Sequence, residues 1–305
     1  MLRAIKAPWL SDDSTEGGIG RPHHPTTTYL CGGFLLYLRN MQKLTLQNRK
    51  GQNIVGQLAL PTGDIKGTCV LEHGWSGKKE QDHIVAIQEA FTDNGWQVFN
   101  FDATNSYNES DGDFADSRLG LHYEDMEDVC KWAQQQEWFV GPMAVSGHSM
   151  GGYATARYAE DHPEDVALIA PIAPVVSGTL TTESKERREP GMIAKWKEEG
   201  VLLRESASAP GLIKRAPFAV HEEWLNHDLL PNADKLTMPV FLLTGTDDGS
   251  CPPDHVQQLF DAIPHDNKVF EIIEDAPHTY RTKEDLEEVK KRLSGWLSDV
   301  SIFQW

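Results

Sequence analysis

Six short apolar runs, separated by segments of helical period, constrain this chain more than any other feature. They are GTCVLEHG (67–74), WQVFNFDA (96–103), PMAVSG (142–147), VALIAPIAP (166–174), PVFLLTG (239–245) and KVFEII (268–273). Between and after them stand DHIVAIQEAFTDNG (82–95), LHYEDMEDVCKWAQQQ (121–136), a run beyond Ser149, a segment around DHVQQLFDAI, and the closing KEDLEEVKKRLSGWLSDV. A strand that is apolar at nearly every position must be covered on both faces, which parallel strands joined by helical crossovers achieve. The expected class is therefore α/β: a mostly parallel sheet with helices on both sides. Ahead of it, MQKLTLQNRKGQNIVGQLAL (41–60) alternates, turns through polar residues and alternates again, so a β-hairpin is expected there.

Two stretches break the pattern. Residues 1–40 include SDDSTEGGIGRPHHPTTT, polar, rich in Gly and Pro and without period; they read as a poorly ordered extension, with the folding unit starting at Met41, which could itself be a natural start. The second break is 175–238, which holds the charge run ESKERREPG and two short helical segments around MIAKWKEEG and HEEWLNHD, but no good strand. An insertion this long inside a compact fold is usually functional. It is expected to be a helical cap over the carboxyl edge of a core made of 41–174 and 239–305.

Composition narrows the partners. The net charge is −18, with no basic run, which opposes nucleic acid and anionic membrane surfaces. The apolar run YLCGGFLLYL (29–38) is too short to span a bilayer and makes a poor signal peptide. Cys31, Cys69, Cys130 and Cys251 stand far apart without metal-ligand spacing, so a reduced, cytoplasmic protein is expected. Nothing in the residues selects between a monomer and a homodimer.

The chemistry centres on AVSGHSMGGYATARYAEDHP (144–163), where an apolar strand passes through Gly147-His148-Ser149-Met150-Gly151 into a helix. A serine raised on a strained strand-to-helix turn needs small neighbours two positions away on each side, and both are glycine. A serine hydroxyl is a weak nucleophile and needs a base oriented by a carboxylate. His278, in EDAPHTYRT, follows the run KVFEII, and Asp247 and Asp248 follow PVFLLTG, so all three reach the sheet edge where ligands bind. The order serine, acid, histidine suits a hydrolase of this topology. Developing negative charge needs fixed donors. LEHGWSGK places His73-Gly74-Trp75 just past a buried strand, and Met150 offers a second backbone N–H.

These residues resemble the α/β-hydrolase superfamily, and within it the cap-bearing esterase and lysophospholipase-like branch that includes cinnamoyl (feruloyl) esterases and proteins described as serine aminopeptidase S33. The resemblance runs from about Met41 to the C-terminus. Its carriers are LEHGWSGKK, FDATNSYNESDGDF, SGHSMGGY, LTGTDDGSCPP and EDAPHTY. It implies an eight-stranded, mostly parallel sheet, Trp75 and Met150 as oxyanion donors, and a cap that shapes an acyl pocket. The family's spacing from the strand-end glycine and to the following proline, here Gly245 and Pro252, selects Asp248. In place of the usual R-G-x-G-x-S this chain has ATNSYNES, keeping only Ser110 and Gly112 of the final S-x-G.

The expected reaction is cleavage of a small carboxylic ester, short-chain or aromatic, through Ser149, His278 and Asp248, without metal or organic cofactor. Trp196, Phe218 and Trp224 are candidate pocket residues. An S33-like aminopeptidase or amidase competes, with Glu189, Glu198, Glu199, Glu222 and Glu223 as possible anchors for a substrate amine; a lysophospholipase or thioesterase is close in chemistry. A binding protein on a hydrolase scaffold is the alternative of another class.

Overall fold

The computed structural model describes residues 41–205 and 211–300. The expected N-terminal extension, residues 1–40, and Cys31 within it lie outside the described residues.

Eight strands form one sheet: β1 Met41–Gln47, β2 Asn53–Ala59, β3 Gly67–Glu72, β4 Trp96–Asp102, β5 Met143–His148, β6 Leu168–Ile172, β9 Val240–Asp247 and β10 Lys268–Pro277. Their spatial order is β1-β2-β4-β3-β5-β6-β9-β10. The first two strands make the expected hairpin, in which Asn48 Oδ1 accepts the turn amides of Lys50 and Gln52. Strand β2 runs antiparallel to β4, and from β4 onward every pairing is parallel.

Four helices cover the faces: α1 Asp82–Asp93, α2 Leu119–Ala133, α3 Met150–Asp161 and, at the C-terminal end, α8 Lys283–Asp299, with α7 Pro253–Ala262 beside β9. The period of two along each strand divides the core. In β3, Cys69 and Leu71 join Ile84, Ile87 and Phe91 of α1 and Leu293 and Trp296 of α8 on one face. Val70, between them, joins Met126 and Val129 of α2 and Ala154 of α3 on the other. Each buried Leu, Ile or Phe side chain of this kind contributes about 1.5–3 kcal/mol over remaining exposed. Because both faces are filled, the polar strand ends are the place left for chemistry.

The interval between β6 and β9 corrects the expectation that it holds no strand. It contains α4 Gly178–Arg188, α5 Met192–Glu199, β7 Val201–Glu205, β8 Ile213–Pro217, α6 Ala219–Trp224 and the 3₁₀ segment Leu230–Lys235. VLLRE and IKRAP pair antiparallel as a separate two-stranded ribbon. They are short, charged and largely exposed, with Leu203 and Ile213 facing solvent, so no alternating apolar face marks them in the sequence. The charge run ESKERR, which showed no apolar period, is the C-terminal part of α4, capped at its start by the Ser177 hydroxyl accepting from Leu180 N.

Candidate active site

Ser149 sits between β5 and α3 at φ +59°, a left-handed conformation that serine rarely adopts. Two glycines make this turn possible. A Cβ on Gly147 would lie 2.3 Å from Gly151 O, and a Cβ on Gly151 would lie 2.4 Å from Glu72 O. Strand, turn and helix approach too closely for any side chain at either position. The strain holds the Ser149 hydroxyl over the end of the sheet.

The bulge near the end of β10 and the loop after β9 bring the other two groups to it. His278 Nε2 is 3.0 Å from Ser149 Oγ, and His278 Nδ1 is 2.7 Å from Asp248 Oδ2. Asp248 is buried, whereas Asp247 is exposed and makes no bond to the imidazole. Burial works against the Asp248 charge, but His278 and the amides of Cys251 and Ser250, each 2.8 Å from Oδ1, outweigh it and hold the carboxyl below its usual range. It is thus ionised and orients the ring so that Nε2 faces the serine.

The loop after β3 is fixed by His73. Its Nε2 accepts from Ala103 N at 3.0 Å, and its Nδ1 donates to Gly74 O at 2.7 Å. Burial pushes this imidazole down to about 4, so it stays neutral with one defined tautomer. Trp75, next after the tied-back Gly74 carbonyl, and Met150, at the start of α3, both reach the cavity. No protein acceptor takes either N–H among the described residues. Both residues line a cavity of about 380 Å³ that also reaches Ser149 and His278.

The aromatics expected to line the pocket, Trp196, Phe218 and Trp224, are only partly there. Trp224 does line the cavity, with Trp75 edge-on at 5.6 Å. Trp196 and Phe218 do not. Trp196 is buried, donates Nε1 to Ala216 O at 2.9 Å and packs edge-on against Phe218, so the pair fastens the ribbon to its helices. The carboxylates considered as amine anchors are also elsewhere. Glu189 pairs with Arg204; Glu223 accepts the amides of Leu119 and Gly120 at the start of α2; Glu198, Glu199 and Glu222 are exposed. None lines the cavity.

Several residues escaped the sequence reading. His148, inside the G-x-S-x-G, is buried and neutral; burial, then His83 and His278, keep its pKa well below the ordinary value. Its Nε2 donates to His278 O at 2.7 Å. Cys251 stands at the cavity wall, and Lys185, Arg188, Lys214 and Arg281 line it from three separate segments. Only the position of His148 in the motif carried a signal. The rest depend on long-range packing.

Among the described residues one group of carboxylates, Glu80, Asp102 and Glu109, is close enough to hold a cation. It already surrounds the Lys79 ammonium, at 2.8, 2.6 and 2.6 Å. The three carboxylates outweigh the effect of burial and keep that lysine charged.

The comparisons agree with this architecture. Residues 63–204 match the family described as serine aminopeptidase S33. Est1E from Butyrivibrio proteoclasticus, solved with ferulic acid bound, is 19% identical over 84% of this chain and 98% of its own, with a TM-score of 0.68. Alpha/beta hydrolase domain-containing protein 10 from mouse is 20% identical over 85% of this chain and 100% of its own, with a TM-score of 0.67. This chain has the α/β-hydrolase fold. The Pyrococcus furiosus esterase Pf2001 shares it at 16% identity over 90% of this chain and 95% of its own, TM-score 0.64. No curated protein matches the sequence. In the α/β-hydrolase fold the expected eight-stranded sheet is present, with Ser149 at the strand-to-helix turn. Among the described residues no helix is long and apolar enough to cross a membrane.

Proposed function

We propose that this protein is a serine hydrolase that cleaves carboxylic esters through an acyl-enzyme. One observation carries the reading: an unbroken chain of hydrogen bonds from Asp248 through His278 to Ser149 reaches a cavity lined by Trp75 and Met150, whose backbone N–H groups have no acceptor among the described residues. His278 Nε2 takes the Ser149 proton as Oγ attacks the ester carbonyl carbon. The carbonyl oxygen becomes an oxyanion facing the Trp75 and Met150 N–H groups, in a site where each such donor is worth about 10²–10³ in rate. The C–O bond breaks, the imidazolium protonates the departing alcohol, and water repeats the sequence to release the acid and restore Ser149.

The apolar wall of Trp75, Leu119, Met150, Val175 and Trp224 suits a short or aromatic acyl group. Likeness to the ferulic-acid-bound Est1E and to other esterases supports an ester substrate, aromatic esters included. An aminopeptidase would need an acidic anchor for the substrate amine. Among the described residues only one carboxylate, Asp247, lines the cavity, and it is outnumbered there by cations.

The test is hydrolysis of p-nitrophenyl butyrate and methyl ferulate alongside aminoacyl anilides, with fluorophosphonate labelling. Ester turnover and labelling at Ser149, both lost in Ser149→Ala, are expected. Labelling with faster anilide than ester cleavage would replace the esterase by a peptidase. Neither turnover nor labelling would remove the enzyme altogether.

A further inference from the structure

The chain is strongly acidic, yet the cavity beside Ser149 is lined by four cations. Lys185 and Arg188 come from the last turn of α4, Lys214 from β8, and Arg281 from the loop before α8. None of the four has a carboxylate within ion-pair distance among the described residues. Elsewhere the cations are commonly matched: Arg187, between two of them on the same turn, faces away and pairs with Asp254 at 3.5 Å, and Arg204 pairs with Glu189. Among the described residues the one carboxylate lining the cavity is Asp247.

A helix C-terminus favours positive charge and would account for Lys185 and Arg188 alone. It does not account for Lys214 and Arg281, which arrive on other elements. Nor does solubility, because Lys185 and Lys214 are half-buried, where unpaired charge is costly. Burial, then Arg188 and Arg204, push the Lys185 ammonium down to about 8, and burial lowers Lys214 as well. Lys185 and Arg188 line the same cavity as Ser149 and Cys251. Lys185 Nζ lies 5.2 Å from the Trp224 ring centre, at the junction of the apolar and cationic walls. Arg188 lies across Gly249, next to Asp248 in sequence: a Cβ there would come within 2.7 Å of the guanidinium stem. A ligand with an apolar body and an anionic end would satisfy both walls and relieve the repulsion among the cations.

We propose that the substrate is an ester carrying a second, anionic group, a carboxylate or phosphate, held by Lys185 and Arg188 with Lys214 and Arg281 around it. This rests on the ester-hydrolase reading and narrows it to a substrate class. The full chain is tested with two matched pairs: the p-nitrophenyl esters of adipic and adipamic acid, which place charge or no charge on the acyl side, and the butyryl esters of 4-hydroxybenzoate and 4-hydroxybenzamide, which do so on the alcohol side. At least one pair should show a preference in kcat/KM of about tenfold or more for the carboxylate, eroded by added salt. That ratio should collapse toward one in Lys185→Met/Arg188→Met, persist in Lys185→Arg/Arg188→Lys, and persist in Arg187→Met, whose side chain lies outside the cavity. Absence of preference in both pairs, or a preference that survives the double methionine variant, overturns the proposal while leaving the esterase standing. If no ester is turned over, calorimetry on Ser149→Ala with the adipic and adipamic esters still decides: tighter binding of the anion upholds the cationic subsite, and equal binding overturns it.

Discussion

Asp247 and Asp248 are neighbours in sequence and opposite in situation. The residues alone left both open as the acid, and only the resemblance favoured the second. The side chain of Asp248 turns inward, where His278 and two amides compensate its buried charge, while that of Asp247 stays in solvent at the cavity rim. Replacing Asp248 by Asn keeps the shape but lets the imidazole settle in the wrong tautomer, so kcat should fall by about 10³–10⁴-fold. Asp247→Asn should leave kcat close to the parent. Steady-state kinetics of the two variants on one ester checks the assignment, and equal losses would contradict it. His148 shows what a motif leaves unsaid. Its place in G-x-S-x-G was visible, but a bond to a carbonyl 130 positions along the chain depends on tertiary packing. Because that bond steadies the backbone of His278, His148→Phe should lower kcat by about tenfold with little change in KM. A change confined to KM would mean that His148 serves binding instead.

At the scale of elements, the parts legible in advance were those with a dense apolar period. The inner strands β3, β4, β5, β6 and β9 and the helices α1, α2, α3, α7 and α8 bury continuous faces, and their residues had to be apolar at those intervals, while the edge strand β10 is mostly half-buried. The interval between β6 and β9 is built differently. Its ribbon and the end of α4 gain stability from a few side chains reaching across, so neither carries a regular pattern. Three tryptophan or phenylalanine residues were equally good pocket candidates in the sequence, because an aromatic that fastens a cap and one that lines its cavity have the same composition. Geometry separates them. Trp196, buried and bonded to Ala216 O, should cost about 3–5 kcal/mol when changed to Ala, read as a lower urea midpoint. Trp224, facing the cavity beside Trp75, should instead raise KM for aromatic esters when changed to Ala. Should Trp196→Ala retain full stability, the ribbon is not fastened there.

Over the whole molecule, the closed double-sided core that made the fold readable also traps titratable groups that no sequence pattern reveals. The buried imidazoles His73, His83 and His122 are pushed down to about 4, 3 and 4, in each case chiefly by burial. An unfolded histidine takes up its proton near 6.5. Between those values the unfolded chain binds more protons than the folded one, so the three contribute stability above about 6.5 that is lost as pH falls toward 4. Glu160 has the opposite sign. It is buried in α3 with Oε1 lacking a partner, and burial raises its carboxyl to about 8 despite Arg157 nearby. Its folded pKa lies above the unfolded value, so its contribution is complete below about 4.5 and drains away as pH rises through 8. A neutral isostere removes that drain. Glu160→Gln should therefore match the parent near pH 4.5, exceed it increasingly through neutrality and reach its full advantage by pH 9, as read from urea midpoints at constant ionic strength. A gain of the same size at every pH would show that packing, and not the buried proton, sets the difference.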